Sequence, residues 1–148
     1  MREKRLLIDG AFYHVTSRTN NKINAFECNT GTNIMLLTLK EAKEKFQFRL
    51  ANFCVMPNHI HLLIAPAEDT NLSKIMHWIK LISAKRWNFS KNCCNHLWGN
   101  RYSSRIIKND TDFYNVMEYI DQNPVKAGLC ITPNEWYAGG AYYTTLIS

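Results

Sequence analysis

The first patterned stretch of the chain is residues 11–19, where aromatic and β-branched side chains predict a strand. Side chains alternate between the faces of a strand. This puts Phe12, His14, Thr16 and Arg18 on one side and Tyr13, Val15 and Ser17 on the other. Asn20-Asn21-Lys22 breaks the run. Residues 30–45 then take a helical period. Ile34, Leu37 and Glu41 alternate with Met35, Leu36 and Leu39 in a broad stripe, and Lys40, Lys43 and Lys45 lie toward the C-terminal end, which favours cations. Residues 46–55 predict a second strand and residues 59–65 a third, joined by a short turn at Met56-Pro57-Asn58. Thr70 or Asn71 is placed to cap a helix with Leu72, Ile75, Met76, Ile79 and Ile82 on its apolar face and Lys74, Lys80, Lys85 and Arg86 off it.

After a loop at 93–99, residues 101–108 predict a fourth strand, and Asn109-Asp110-Thr111 caps a last helix. Phe113, Val116, Met117 and Ile120 form its buried stripe. Asn123 precedes Pro124, which disfavours helical geometry, so the helix is expected to end near Asn123. The order strand, helix, strand, strand, helix, strand spells a ferredoxin-like split βαβ sandwich of the α+β class. An antiparallel sheet would carry helices on one face, with an extra C-terminal helix beyond the repeat. No internal repeat or linker divides the 148 residues, so a single domain is expected, with a basic arm at 1–10 and a variable tail at 130–148.

Composition narrows the partners. A hydrophobic share of 46% fits a globular domain, and a formal charge of +6 with a pI near 9.1 favours polyanions, nucleic acid first. The five cysteines are odd in number and form no Cys-x-x-Cys pair. A zinc finger or disulfide framework is therefore not expected, and a reducing cytoplasm suits the pattern. No signal peptide or membrane-spanning run is expected.

Two constellations carry candidate chemistry. His59 and His61 share one face of the third strand, while Ile60, Leu62 and Ile64 point the other way. An isolated pair of this kind reads first as two half-buried histidines on an amphipathic strand, and only with further support as a two-toothed clamp for a divalent metal. On the last helix, Asn115, Tyr119, Gln122 and Asn123 lie off the apolar stripe. A phenol hydroxyl is a weak nucleophile at neutral pH unless a metal polarises its electrophile. Asn123, one turn after Tyr119, is placed to add an amide oxygen to the two imidazoles. Such a set with open positions suits magnesium or manganese handling phosphate.

Three motifs in register extend this picture: Tyr-His-Val-Thr-Ser-Arg at 13–18, Met-Pro-Asn-His-Ile-His-Leu-Leu at 56–63, and Glu-Tyr-Ile-Asp-Gln-Asn-Pro-Val-Lys-Ala-Gly-Leu at 118–129. From about residue 10 to residue 129 the chain closely resembles the REP-associated tyrosine transposases, relatives of the single-tyrosine HUH transposases. The resemblance implies a ferredoxin-like core and a metal-dependent endonuclease and strand transferase acting on single-stranded or hairpin DNA. It implies that His59 and His61 bind the metal, that Asn123 completes the site, and that Tyr119 is the nucleophile forming a 5′-phosphotyrosine. Relatives act as dimers or monomers, so a homodimer is possible on this basis. The chain departs from the family's pattern at Thr19, where glycine is frequent, and in the tail at residues 136–140.

Other residues have weaker claims. His14 is expected to be structural or DNA-contacting rather than a third ligand. Arg18, Arg101, Arg105 and Lys126 are candidates for the DNA backbone. Trp78, Trp87 and Trp98 are expected to fill the core rather than stack on bases. His77 and His96 have no informative spacing, and the cysteines read as small apolar residues. Two other functions fit the same fold: a non-catalytic hairpin-binding protein, and a metal-dependent hydrolase with a water nucleophile.

Overall fold

The computed structural model describes residues 10–142, so residues 1–9 of the basic arm and the tail beyond 142 lie outside the described residues. The elements are β1 (Tyr13–Arg18), α1 (Asn29–Phe46), β2 (Arg49–Met56), β3 (His59–Ala65), α2 (Leu72–Lys91), β4 (Ser103–Ile106) and α3 (Asp110–Lys126), with short 3-10 turns at Asn20–Lys22 and Pro133–Glu135. The sheet order is β2-β3-β1-β4, with each neighbouring pair antiparallel. This is the ferredoxin-like split βαβ arrangement that the element order predicts.

One face of the sheet packs on α1 and α2. Tyr13 and Val15 of β1 and Ile60, Leu62 and Ile64 of β3 meet Met35, Leu39, Ile75, Met76 and Ile79 in the main core. The other face takes α3: Cys54, Met56 and Leu63 pack on Val116 and Ile120. The two histidines of β3 therefore rise on the α3 side, because their neighbours Ile60 and Leu62 are held by the main core. Between Leu50 and Asn52 the β2–β3 register slips by one residue. The bulge breaks the strand's alternation, so that Leu50 and Phe53 both enter the main core while buried Asn52 faces α3.

The structure departs from the sequence expectation at three element boundaries and on one helix face. Phe46 belongs to α1 rather than to β2, because its ring packs edge-on against Trp78 with centroids 6.0 Å apart. The helix stops at Gln47, in the left-handed region at φ 56°, whose N–H closes on the Lys43 carbonyl. Leu37 is 48% exposed and lies off the α1 stripe, whose buried positions include Met35, Leu39 and Ala42. Edge strand β4 is four residues long, so Arg101 precedes it. Helix α3 continues past Asn123 to Lys126. Pro124 is buried in its last turn, and the helix closes through the Leu129 N–H on the Pro124 carbonyl, with Gly128 at φ 74°. Packing of the proline outweighs the preference against helix before it.

Asn71, not Thr70, caps α2, its Oδ1 accepting the Lys74 N–H at 3.0 Å. Trp87 and Trp98 are buried and Trp78 packs at the margin of the core. Cys54 is buried as a small apolar residue, but Cys28 and Cys94 are exposed, and all five thiols are free. The tail runs beside β2: the Val55 N–H donates to the Ala138 carbonyl and the Gly140 N–H to the Phe53 carbonyl, both at 2.8 Å. No helix among the described residues is long and apolar enough to cross a membrane.

Gly31 sits where α1 meets the preceding loop. A methyl group there would overlap the backbone carbonyl of Ala25. Gly31→Ala is therefore expected to lower stability by about 3 kcal/mol, the upper range for overpacking a rigid site. Urea unfolding measures it; a midpoint within error of the parent's would show that the 25–31 loop yields freely.

Candidate active site

The site is built from the outward face of β1 and β3 and one side of α3. Register fixes its first members: Arg18 lies opposite His59, Thr16 opposite His61 and His14 opposite Leu63. His61 is only 3% exposed. Its Nδ1 lies 3.1 Å from His14 Nε2 and 3.2 Å from Thr16 Oγ1. His59 Nδ1 lies 2.8 Å from the Asn58 side-chain oxygen. In both rings Nδ1 is engaged from behind, the arrangement that orients Nε2 of a metal-binding histidine.

Helix α3 brings the second half. The Tyr119 ring stands edge-on to both His14 and His61, with centroids 5.7 Å away in each case. Tyr119 is 48% exposed, so its hydroxyl-bearing ring is open to a large substrate. One turn on, Asn123 hydrogen-bonds to His59 and its Nδ2 donates to the Tyr119 carbonyl at 3.2 Å. The helix packs over the sheet of its own chain. Asn52 holds its middle, donating from Nδ2 to the Met117 carbonyl at 3.1 Å and to Asp121 at 2.9 Å. At its start, Asn109 Oδ1 caps the Asp112 N–H at 2.8 Å, and Arg105 grips Asp112 with two bonds of 2.9 and 3.0 Å.

Electrostatics keeps the imidazoles neutral. Burial lowers the pKa of His61 to about 3, with His59, His14 and Arg18 adding to the shift. Burial also lowers His59, reinforced by Arg18 and opposed by the Asn123 hydrogen bond. His14 is lowered by burial and by Arg105. Neutral rings retain the lone pairs that a metal needs. No group of three or more His, Cys, Asp or Glu side chains among the described residues is arranged to hold a metal. Two imidazoles and an amide oxygen are instead the donors at hand, and they fit a hard divalent ion with open positions. His14 faces His61 through its Nε2 and supports that ring from the side.

The structure thus gathers His59, His61, Tyr119, Asn123, His14 and Arg18, and adds Lys126, whose Nζ lies 5.9 Å from the Tyr119 ring centre. It does not gather all the basic candidates. Arg105 lies across from His14 but is occupied by Asp112, and Arg101 lines a separate groove beside α2. Thr16 and Asn58, which hold the two rings, were not singled out by spacing. The only sequence signals for them are a shared strand face and adjacency to His59.

Comparisons with known proteins bear on the fold and the family. A curated protein of Haemophilus influenzae, assigned as a REP-associated tyrosine transposase, is 29% identical over 107 residues, or 66% of this chain. The chain spans 61% of that relative's length. Among solved structures, a REP-associated tyrosine transposase bound to a REP hairpin superimposes with a TM-score of 0.81 at 21% identity, over 98% of this chain and 85% of that one. A transposase structure from Deinococcus radiodurans gives 0.57 at 17% identity, over 82% and 97%. These likenesses show a shared fold. The family profile of IS200-like transposases matches residues 8–123, a span that takes in His14, His59, His61, Tyr119 and Asn123. That match covers most of the sequence, and the chain belongs to the IS200-like transposase family.

Proposed function

We propose that this transposase is a metal-dependent nuclease and strand transferase for single-stranded or hairpin DNA, with Tyr119 as nucleophile and His59, His61 and Asn123 as metal ligands. The observation that carries the reading is the meeting, within one chain, of an exposed tyrosine with one buried and one half-buried histidine, both held neutral and both engaged at Nδ1. The hairpin is the ligand of the structural relative in its solved complex. The basic balance of this chain, +6, suits the same class of partner.

In this chemistry the Tyr119 oxygen attacks the scissile phosphorus and the bond to the 3′ oxygen breaks. The phenol gives up its proton and the departing oxygen gains one. The product is a 5′-phosphotyrosine and a free 3′-hydroxyl. Resealing is the reverse, with a DNA 3′-hydroxyl displacing the tyrosine, so phosphodiester energy is retained. A bound Mg2+ or Mn2+ supplies charge neutralisation at the phosphate. Arg18 and Lys126 flank the site as fixed cations for the DNA backbone and for the developing phenolate. Lys126 follows the helix turn that the proline does not interrupt. The packing of α3 on its own sheet supports a reading in which nucleophile and ligands act in cis, in a monomer or in each half of a dimer. A DNA substrate suits a reaction in the cytoplasm.

The test uses labelled hairpin DNA with Mg2+ or Mn2+, and a chelator control. The expected result is metal-dependent cleavage with a covalent protein–DNA adduct on a denaturing gel, mapped by mass spectrometry to the peptide containing Tyr119. Binding without cleavage would establish a DNA-binding protein, and cleavage with no adduct a hydrolase using water.

A further inference from the structure

A second feature lies on the opposite, helical side of the sheet. Between α2 and the segment at residues 95–102 runs a groove of about 660 Å3, a size typical of small-ligand sites. Lys80, Lys85 and Arg101 line it together with His77 and His96, and among the described residues its lining holds no aspartate or glutamate. His77, Lys85, His96 and Arg101 are exposed, and Lys80 donates to the Asn100 carbonyl at 3.3 Å. Apolar atoms make the floor, where Leu97 and Trp98 are buried and Leu81 is 42% exposed. Cations on a rim over a recessed apolar floor differ from a solvated basic face, on which charges stand apart over water. The combination fits a polyanion that also presents flat apolar surface, as an unpaired nucleic-acid strand does.

The groove is joined to the active site through the backbone. The Gly99 N–H donates to the Arg18 carbonyl at 3.0 Å, and the Asn20 N–H donates to the Leu97 carbonyl at 2.8 Å. Thr19 bridges to Trp98 and also bonds to the Asn58 carbonyl, through its N–H at 2.9 Å and its hydroxyl at 3.1 Å. Asn58 in turn holds His59. One wall of the groove is therefore fixed to the end of β1 that faces His59.

We propose that this groove binds unpaired DNA flanking the hairpin, the phosphodiester backbone meeting Lys80, Lys85 and Arg101 and a base lying on the floor at Leu81. The inference rests on the reading of the protein as a DNA transposase and adds a strand-binding site separate from the chemistry. It accounts for Arg101, which stands away from Tyr119, and for two histidines that no spacing connects.

The experiment measures binding in EDTA, without metal or cleavage, for the parent and for the Lys85→Gln/Arg101→Gln variant. Fluorescence anisotropy compares a hairpin with unpaired tails, the same hairpin blunt, and the tailed hairpin with ribonucleotide tails. The variant is expected to bind the tailed DNA hairpin about tenfold more weakly, with a log–log salt slope shallower by about 1.4, about 0.7 for each lost phosphate contact on a single strand. Its affinity for the blunt hairpin is expected to stay within about twofold. A photoreactive pyrimidine in the tail is expected to crosslink to α2 or to residues 95–102. Unchanged tail binding, an equal loss on the blunt hairpin, tighter binding of ribonucleotide tails, or crosslinks elsewhere would each overturn the proposal. The catalytic reading fails separately: a missing Tyr119 adduct beside groove-dependent tail binding removes the chemistry and leaves the groove.

Discussion

Tyr119→Phe is expected to abolish the covalent DNA adduct and to reduce cleavage by a factor on the order of 10^4 or more, the scale of losing a covalent nucleophile. Hairpin binding is expected to remain within about twofold, since electrostatic contacts to phosphate carry most of the affinity. The substitution removes one oxygen and keeps the ring. The edge-on contacts with His14 and His61 at 5.7 Å and the Lys126 contact at 5.9 Å do not depend on that oxygen. Because Tyr119 is 48% exposed, its hydroxyl leaves no buried partner stranded, and stability should hold. Tyr114 on the same helix is 68% exposed and packs on Phe113 instead of the histidines, so Tyr114→Phe is the matched control and is expected to be silent. An adduct that survives in Tyr119→Phe would assign the nucleophile elsewhere.

Why Tyr119 could be singled out from sequence, while the groove at α2 could not, follows from the range of the interactions involved. Strand alternation is local. Ile60, Leu62 and Ile64 had to face the core, so His59 and His61 had to face away, and the structure places them so. The helical period is local too, and it sets Tyr119 and Asn123 one turn apart. What joins the two halves is long-range. The His14–His61 contact spans 47 positions and the Asn52–Asp121 bond 69, and no short window of sequence holds either. The bulge between Leu50 and Asn52 has no strong signal, yet it turns Asn52 toward α3. It also admits the tail. A side chain at Gly140 would collide with the Asn52 amide, so glycine there lets the backbone close on β2. The rule for residues before proline was locally sound for Asn123, but burial of Pro124 outweighed it. His77 and His96 line one groove from a helix and a loop, which only the folded chain brings together.

The second large effect is expected at the histidines. His59→Ala and His61→Ala should each lower metal-dependent cleavage by a factor on the order of 10^3, and the double change should abolish Mn2+ binding measured by calorimetry. The two differ in what else they disturb. His59 is partly exposed and bonded to Asn58 and Asn123, so its loss should leave the fold intact. His61 is 3% exposed, and its removal strands Thr16 and His14, so a stability loss of about 1–3 kcal/mol is expected as well. Acid behaviour separates structure from metal. The folded pKa of His61, about 3, lies below its ordinary value of 6.5. Between those values the unfolded chain binds more protons, so the metal-free protein is fully stabilised above about pH 6.5 and loses stability as pH falls toward 3. Protons and metal compete for the same lone pairs. Because His61 stays neutral in the folded chain until the pH nears 3, Mn2+ should raise the thermal midpoint at pH 5 as well as at pH 7, and should raise that of the His59→Ala variant less. An equal Mn2+ shift in parent and variant would place the ion at another site and remove these histidines from the metal centre.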